Sequence, residues 1–360
     1  MLAQLPNEII VAAAGGGKTT RIVELALGSG TARSALVTYT QNNVHEIERR
    51  LVASNGYVPP SVEVWSWFSF LLRELARPYQ NFLHGKRIDG IHWVEGRSAR
   101  YAKRTDTSRF YFADGRHIFS DKLAQFVCEC DRASGGAVMR RIARRFKRFF
   151  VDEVQDMSGY DLDVLELMLK AEVHVTLVGD HRQATYRTNN SARNSAFSGV
   201  SIVGKFREWE RGGLAALRYE QATHRSNQSI ADFADALFPD DPPTKSQNVV
   251  TTGHDGVFTI PAGSVHAYVK RYNPQVLRLD RKTPCMGLEA MNFGESKGLT
   301  FDRVLIFPHK SGQKWLMSGD FSHVAGSVAK MYVGITRARH SVTFVHEGAV
   351  QLKGVTKSHG

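Results

Sequence analysis

The sequence predicts an α/β fold built from parallel sheets, and three observations carry that prediction. A glycine-rich turn stands between a strand signal and a helix signal near residue 15. A second apolar strand runs straight into carboxylates near residue 152. Strand and helix signals then alternate along most of the 360 residues, the order that parallel sheets with crossover helices require.

The first strand is Ile9-Ile10-Val11, short, apolar and β-branched. It opens the run Val11–Thr20, which reads VAAAGGGKTT. A phosphate-binding loop is usually written G-x-x-x-x-G-K-[ST]. Ala12 stands at the first glycine position, while Gly17-Lys18-Thr19 keeps the second half. The helix that follows carries Ile22, Val23, Leu25, Ala26 and Leu27 at helical spacing, with Gly28 placed to end it. Strand, glycine turn and helix together suit a cradle in which the N–H groups of Gly15 to Thr19 face phosphate oxygens. Lys18 would then reach the outer phosphates, and the Thr19 hydroxyl would ligate magnesium. The plain alternative is a glycine-rich connection that binds nothing.

The second diagnostic strand is in FFVDEVQD, residues 149–156. Asp152 would hold magnesium, and Glu153 would orient or deprotonate an attacking water, the layout of metal-assisted phosphoryl transfer. A solvated acidic loop is the alternative, but Gln155 and Asp156 at fixed offsets favour the chemistry. Further strand signals recur at 35–40, 62–67, 173–179, 257–260, 276–279, 304–307 and 342–345. Helical stretches at 42–53, 161–170 and 227–237 separate many of them. Residues 238–243 read as a loop.

Composition limits the alternatives. Hydrophobic content of 42% and charged content of 23% are ordinary for a globular chain of about two domains. No apolar run is long enough to span a bilayer, and no signal-peptide pattern opens the sequence, so a cytoplasmic, membrane-free protein is expected. Cys128, Cys130 and Cys285 are too few for a disulfide framework or an all-cysteine metal site. The net charge of +12 points to an anionic partner rather than to solubility alone. Within RRIARRFKR, residues 140–148, Ile142, Ala143 and Phe146 are placed to face a core with the arginines outward, either as a solvated face or along DNA.

With these residues in view, the chain resembles the superfamily 1A helicases of the UvrD/Rep/PcrA type. That family writes its phosphate loop AGAGSGKT, so Ala12 follows its habit. ALVTYTQ at 35–41 resembles its TFTN segment, and VWSWFS at 64–69 its STFHS segment. VGDHRQATY at 178–186 resembles VGDxxQSIY, and THRS at 223–226 resembles NYRS. SKGLTFD at 296–302 resembles the KGLEFD segment, and YVGITRAR at 332–339 resembles YVALTRAK. Together with DEVQD at 152–156, these make eight matches in order that cover nearly the whole chain.

The resemblance implies two RecA-like domains, at 1–205 and 206–360, with ATP in the cleft between them. It implies a short 1B-like insertion at about 78–145 and an absent or vestigial 2B insertion. It assigns ATP and Mg2+ as cofactors, with Ala14, Gly15, Gly16, Gly17, Lys18, Thr19, Thr20 and His224 around the nucleotide. Thr19 and Asp152 take the metal, and Glu153 acts as base. Gln183 senses the γ-phosphate, and Arg225 and Arg337 approach it as arginine fingers. Tyr39, Trp67 and Tyr186 match positions that stack on DNA bases, although Trp67 beside Phe68 and Phe70 equally suits a core. The implied activity is ATP-driven 3′–5′ movement on single-stranded or tailed DNA, with two other classes as alternatives. One is a DNA-stimulated ATPase that gates a partner such as a nuclease; the other is a degenerate binder without turnover. The sequence departs from the family at His224, Thr300, Asn292 and Gly294, and only Gln4 could serve as its adenine-reading glutamine. These departures leave the choice of nucleoside base open.

Overall fold

The computed structural model describes residues 6–189 and 191–358; Gln4 lies outside them. The chain divides into two compact units. One comprises Met1–Val11, Lys18–His181 and Tyr186–Arg218, the other Ala12–Gly17, Arg182–Thr185 and Tyr219–Gly360.

The first sheet is made of β1 (Glu8–Ala12), β2 (Ser34–Thr38), β3 (Val62–Ser66), β6 (Arg148–Val151), β7 (His174–Gly179) and β8 (Ala216–Glu220). A separate parallel pair, β4 (Gly90–His92) and β5 (His117–Phe119), lies in the stretch between β3 and β6. The order across the large sheet is β3-β2-β6-β7-β1-β8. β2 pairs in parallel with β3 and β6, and β7 pairs in parallel with β6 and β1. Parallel strands covered on both faces read as continuous apolar runs; β2 is buried along its whole length, as are the last three residues of β6. The sequence misses β8, because ALRYE carries a charge at each polar position and no apolar run.

Helices begin where local chemistry permits. Gln41–Asn55 is capped by the Thr40 hydroxyl, which accepts from the Asn43 N–H, and ends on Gly56 in the left-handed region. Lys18–Leu27 buries Ile22, Val23 and Ala26 on one face. Ala137–Arg145 buries Val138, Met139 and Ile142, and Phe146 is fully buried behind it, whereas Ala143 is only half-buried. Not all its arginines point to solvent. Arg141 donates to Glu74 at 3.0 Å, and Arg145 pairs with both Glu74 and Glu63, the latter at 2.7 Å.

The second unit carries β9 (Ala222–Thr223) paired with β10 (Lys245–Ser246). Its sheet contains β11 (Gly256–Pro261), β12 (Gln275–Arg278), β13 (Met291–Asn292), β14 (Phe301–Phe307), β15 (Ala338–His346) and β16 (Thr356–Lys357), in the order β13-β12-β14-β15-β11-β16 with every pair parallel. Alternation along β14 divides the core. Val304 and Ile306 face a cluster with Trp315, Phe344 and Phe293, while Leu305 and Phe307 face Ile260, Tyr268 and Val345. Between Arg225 and Lys297 the chain holds strands β10 to β13 and the helices Gln228–Asp235 and Val265–Tyr272.

Candidate nucleotide site and strand-facing aromatics

The first unit brings four of the sequence-selected residues together. Lys18 and Thr19 open the helix after the glycine turn, and Asp152 follows the buried end of β6. The Thr19 hydroxyl donates to Asp152 Oδ2 at 2.8 Å, across 133 residues of sequence. Lys18 is almost wholly buried, and its charge acts on Asp152. Burial lifts the Asp152 carboxyl to about 6, with the Glu153 charge adding, while the Thr19 hydroxyl and Lys18 act in the opposite direction. A cation at this carboxylate would remove the penalty, so the pair suits magnesium. Magnesium needs only one or two protein oxygens when phosphates supply the others, and no cluster of three or more metal-ligating side chains occurs among the described residues.

Glu153 sits in the left-handed region at φ 57, unusual for a residue with a side chain. Gln155 donates to its carboxylate and accepts the Asp180 N–H at 3.1 Å, so one amide positions Glu153 against the end of β7. In the sequence Gln155 carries only one signal of this role, its fixed offset after Glu153. Thr20 takes a different part. Its hydroxyl accepts from Arg50 at 2.6 Å, and Arg50 also holds Glu46.

The second unit contains the glycine turn itself. Gly15 and Gly17 lie at φ 78 and 76, conformations that favour glycine. A Cβ on Gly15 would meet Arg225 Cβ at 2.6 Å and Thr223 Oγ1 at 2.9 Å, and one on Gly16 would meet Ala222 O at 2.8 Å. The Thr223 hydroxyl donates to Ala14 O at 2.6 Å, and the His224 N–H donates to Gly15 O at 3.1 Å. His224 thus touches the turn through its backbone, with its ring exposed.

Gln183, Arg225 and Arg337 belong to this unit too. Arg337 is 1% exposed. Its guanidinium donates to Val333 O at 3.0 Å, Leu299 O at 3.2 Å and Gln183 Oε1 at 2.9 Å. Arg225 donates to Thr336 O at 3.0 Å, beside Arg337 in sequence. Arg182, inside the VGDHRQATY segment but without a role assigned there, is buried between Asp235 at 3.0 Å and the ring of Tyr332.

The aromatic candidates separate. Tyr186 is 41% exposed and Tyr39 is half-buried, with ring centroids 6.5 Å apart. Burial, then the nearby charges of Asp156 and Asp161, raises the Tyr39 phenol. Trp67 is fully buried, and its indole N–H donates to Asp161 at 2.8 Å. This corrects the base-facing expectation for Trp67: β3 ends at Ser66 and a helical turn starts at Trp67, so the side chain turns into the core. No helix among the described residues is long and apolar enough to cross a membrane, and Cys128, Cys130 and Cys285 are free.

Residues 116–346 match the viral superfamily 1 RNA helicase core domain. No curated protein sequence matches the chain. Among solved structures, the arterivirus nonstructural protein 10 helicase in complex with DNA is similar at 15% identity and a TM-score of 0.51, over 97% of this chain and 62% of that one. The PRRSV helicase is similar at 16% identity and a TM-score of 0.48, over 97% of this chain and 54% of that one. The chain therefore spans somewhat over half the length of these helicases.

Proposed function

Because the chain belongs to the viral superfamily 1 RNA helicase core family, we propose that it is an ATP-hydrolysing motor that moves along single-stranded nucleic acid. The observation that carries this reading is the contact of Thr19 with Asp152 beside buried Lys18 and left-handed Glu153. A hydroxyl, a carboxylate, an ammonium and a second carboxylate at the end of parallel strands have the donor set that phosphoryl transfer needs.

In this reading the N–H groups of Gly15 to Thr19 take the phosphates, and Lys18 neutralises their outer charge. Thr19 and Asp152 hold Mg2+, which when bound would supply charge neutralisation to the transferring phosphoryl group. Glu153, braced by Gln155, orients the attacking water and takes its proton. Arg225 and Arg337 offer fixed planar cations, and Gln183 links Arg337 to the γ-phosphate position. Tyr186 and Tyr39 supply base-stacking faces, and the net charge of +12 favours a polyanionic track.

The finer assignments belong to the same proposal: a 1A-type engine with domains at 1–205 and 206–360, 3′–5′ polarity, and single-stranded or tailed DNA as track. The family description names RNA, whereas one fold neighbour was solved with DNA, so both polymers enter the test. ATP turnover is measured with and without oligothymidylate and oligouridylate, then strand displacement on tailed duplexes of each polarity. Stimulated turnover with displacement from a 3′ tail is expected, and Lys18→Ala should abolish it. Near-normal turnover in Lys18→Ala refutes the phosphate-loop assignment. Hydrolysis without displacement would instead favour a module that gates a partner such as a nuclease.

A further inference from the structure

A row of rings crosses the first unit. Tyr186 packs on Tyr39, Tyr39 lies 6.1 Å from Phe68, and Phe68 meets the edge of Trp93 at 4.8 Å. Phe68 is buried, but the row emerges at both ends: Tyr186 is 41% exposed and Trp93 is 64% exposed. Trp93 lies inside the short insertion expected at about 78–145, and its ring stands out at the surface while still packed on buried Phe68.

The chain around Trp93 is fixed rather than loose. β4 ends at His92, immediately before it. The Val94 N–H donates to Ser120 Oγ at 3.2 Å, and Ser98 donates to Asp121 through its N–H at 3.0 Å and its hydroxyl at 2.5 Å. The indole is therefore presented on a loop tied to the residues after β5, and binding would lose little conformational freedom there.

Two basic hollows accompany the row. One of about 730 Å³ is lined by Arg97, Arg100 and Lys122, with Lys122 held 4.3 Å over the Phe110 ring. The other, about 120 Å³, is lined by Arg97, Arg187 and Arg193. Arg97 lines both, and Arg187 directly follows Tyr186. Aromatic faces that accept any base, flanked by arginines that accept phosphates, have the composition of a surface for single-stranded nucleic acid.

We propose that Trp93 is a base-stacking residue at the far end of the Tyr186–Tyr39–Phe68 row, and that Arg97 carries a backbone phosphate of the same strand. The inference rests on the nucleic-acid motor reading and extends it to residues that reading does not use. It commits to a single-stranded polynucleotide as occupant, on charge and on ring chemistry.

The test uses the full chain with fluorescein-labelled oligothymidylate and, in parallel, oligouridylate. Trp93→Ala is expected to weaken binding about ten-fold, within the range of a lost base stack. Trp93→Phe, which keeps a ring, should retain most of the affinity. Arg97→Ala should weaken binding and lower the steepness of its salt dependence by about one counterion. Intrinsic emission gives a second readout: wild-type fluorescence should fall as the oligonucleotide binds, and Trp93→Phe should lose that change. Equal affinity of Trp93→Ala and wild type, with unaltered quenching in Trp93→Phe, overturns the inference. A wild-type chain that binds neither polymer overturns the motor reading instead.

Discussion

Replacing Gly15 by alanine tests the glycine turn most directly, and Gly17 supplies its internal control. Both residues lie in the left-handed region, at φ 78 and 76, where an alanine costs about 1–2 kcal/mol. They differ in what surrounds them. A Cβ at Gly17 meets nothing within 4 Å, whereas one at Gly15 would sit 2.6 Å from Arg225 Cβ, closer than real Cβ contacts go. The turn must then move, and with it the bonds from Thr223 Oγ1 to Ala14 O and from the His224 N–H to Gly15 O. Each bond is worth about 1 kcal/mol. Gly15→Ala is thus expected to cost roughly 3–4 kcal/mol and Gly17→Ala about 1–2 kcal/mol. In urea titrations the two midpoints should separate by about 1 M, with Gly15→Ala the lower. ATP analogue binding, measured calorimetrically, should weaken in both variants because both change the N–H directions of the turn. Equal midpoints, or a more stable Gly15→Ala, would show that the close approach of Arg225 and Thr223 has no energetic consequence.

Two further tests address the first unit. Glu74 is buried between Arg141 and Arg145, so Glu74→Ala leaves two partly buried guanidiniums without that carboxylate; a loss of roughly 3 kcal/mol is expected in chemical denaturation, and a loss below ~1 kcal/mol would show the pair to be solvent-screened. Asp161 is lifted by burial to about 6, above the ordinary carboxylate near ~3.9, so between these values the folded chain holds a proton that the unfolded chain has shed. The stability this gives in acid is lost as pH rises through that window. Asp161→Asn keeps an acceptor for the Trp67 indole and should exceed wild type by up to about 3 kcal/mol at neutral pH, an advantage that shrinks towards pH ~4; an advantage that grows in acid refutes the assignment.

What the sequence revealed depended on how local the signal was. The turn GGGKTT and the string DEVQD each hold their residues within one strand-to-loop junction, so spacing alone brings out Lys18, Thr19, Asp152 and Glu153. The β12, β14 and β15 strands were legible as apolar runs, while β8 was hidden by its charges. In WSWFSF the periodicity changes at Ser66 from strand to helix. Trp67 therefore enters the core while Trp65 stays half-buried, although strand alternation carried through both would put them on one face. The basic run at 140–148 could not disclose Glu74 and Glu63, because those partners lie 67 and 82 residues away. Trp93 was hidden for a different reason: the stretch around it follows no period, and its meaning comes from rings contributed by residues 39, 68 and 186.

The strand order of the first sheet bears on how the chain is made. β1 lies between β7 and β8, and the Ala216 N–H closes on Asn7 O across the whole of the unit. A ribosome releases β1 long before either flanking strand exists. β1 ends at Ala12 and its first partner, β7, begins only at His174, a separation in sequence that makes pairing slow and exposes an apolar edge meanwhile. The topology thus places the burden of this sheet on the order in which its strands are made.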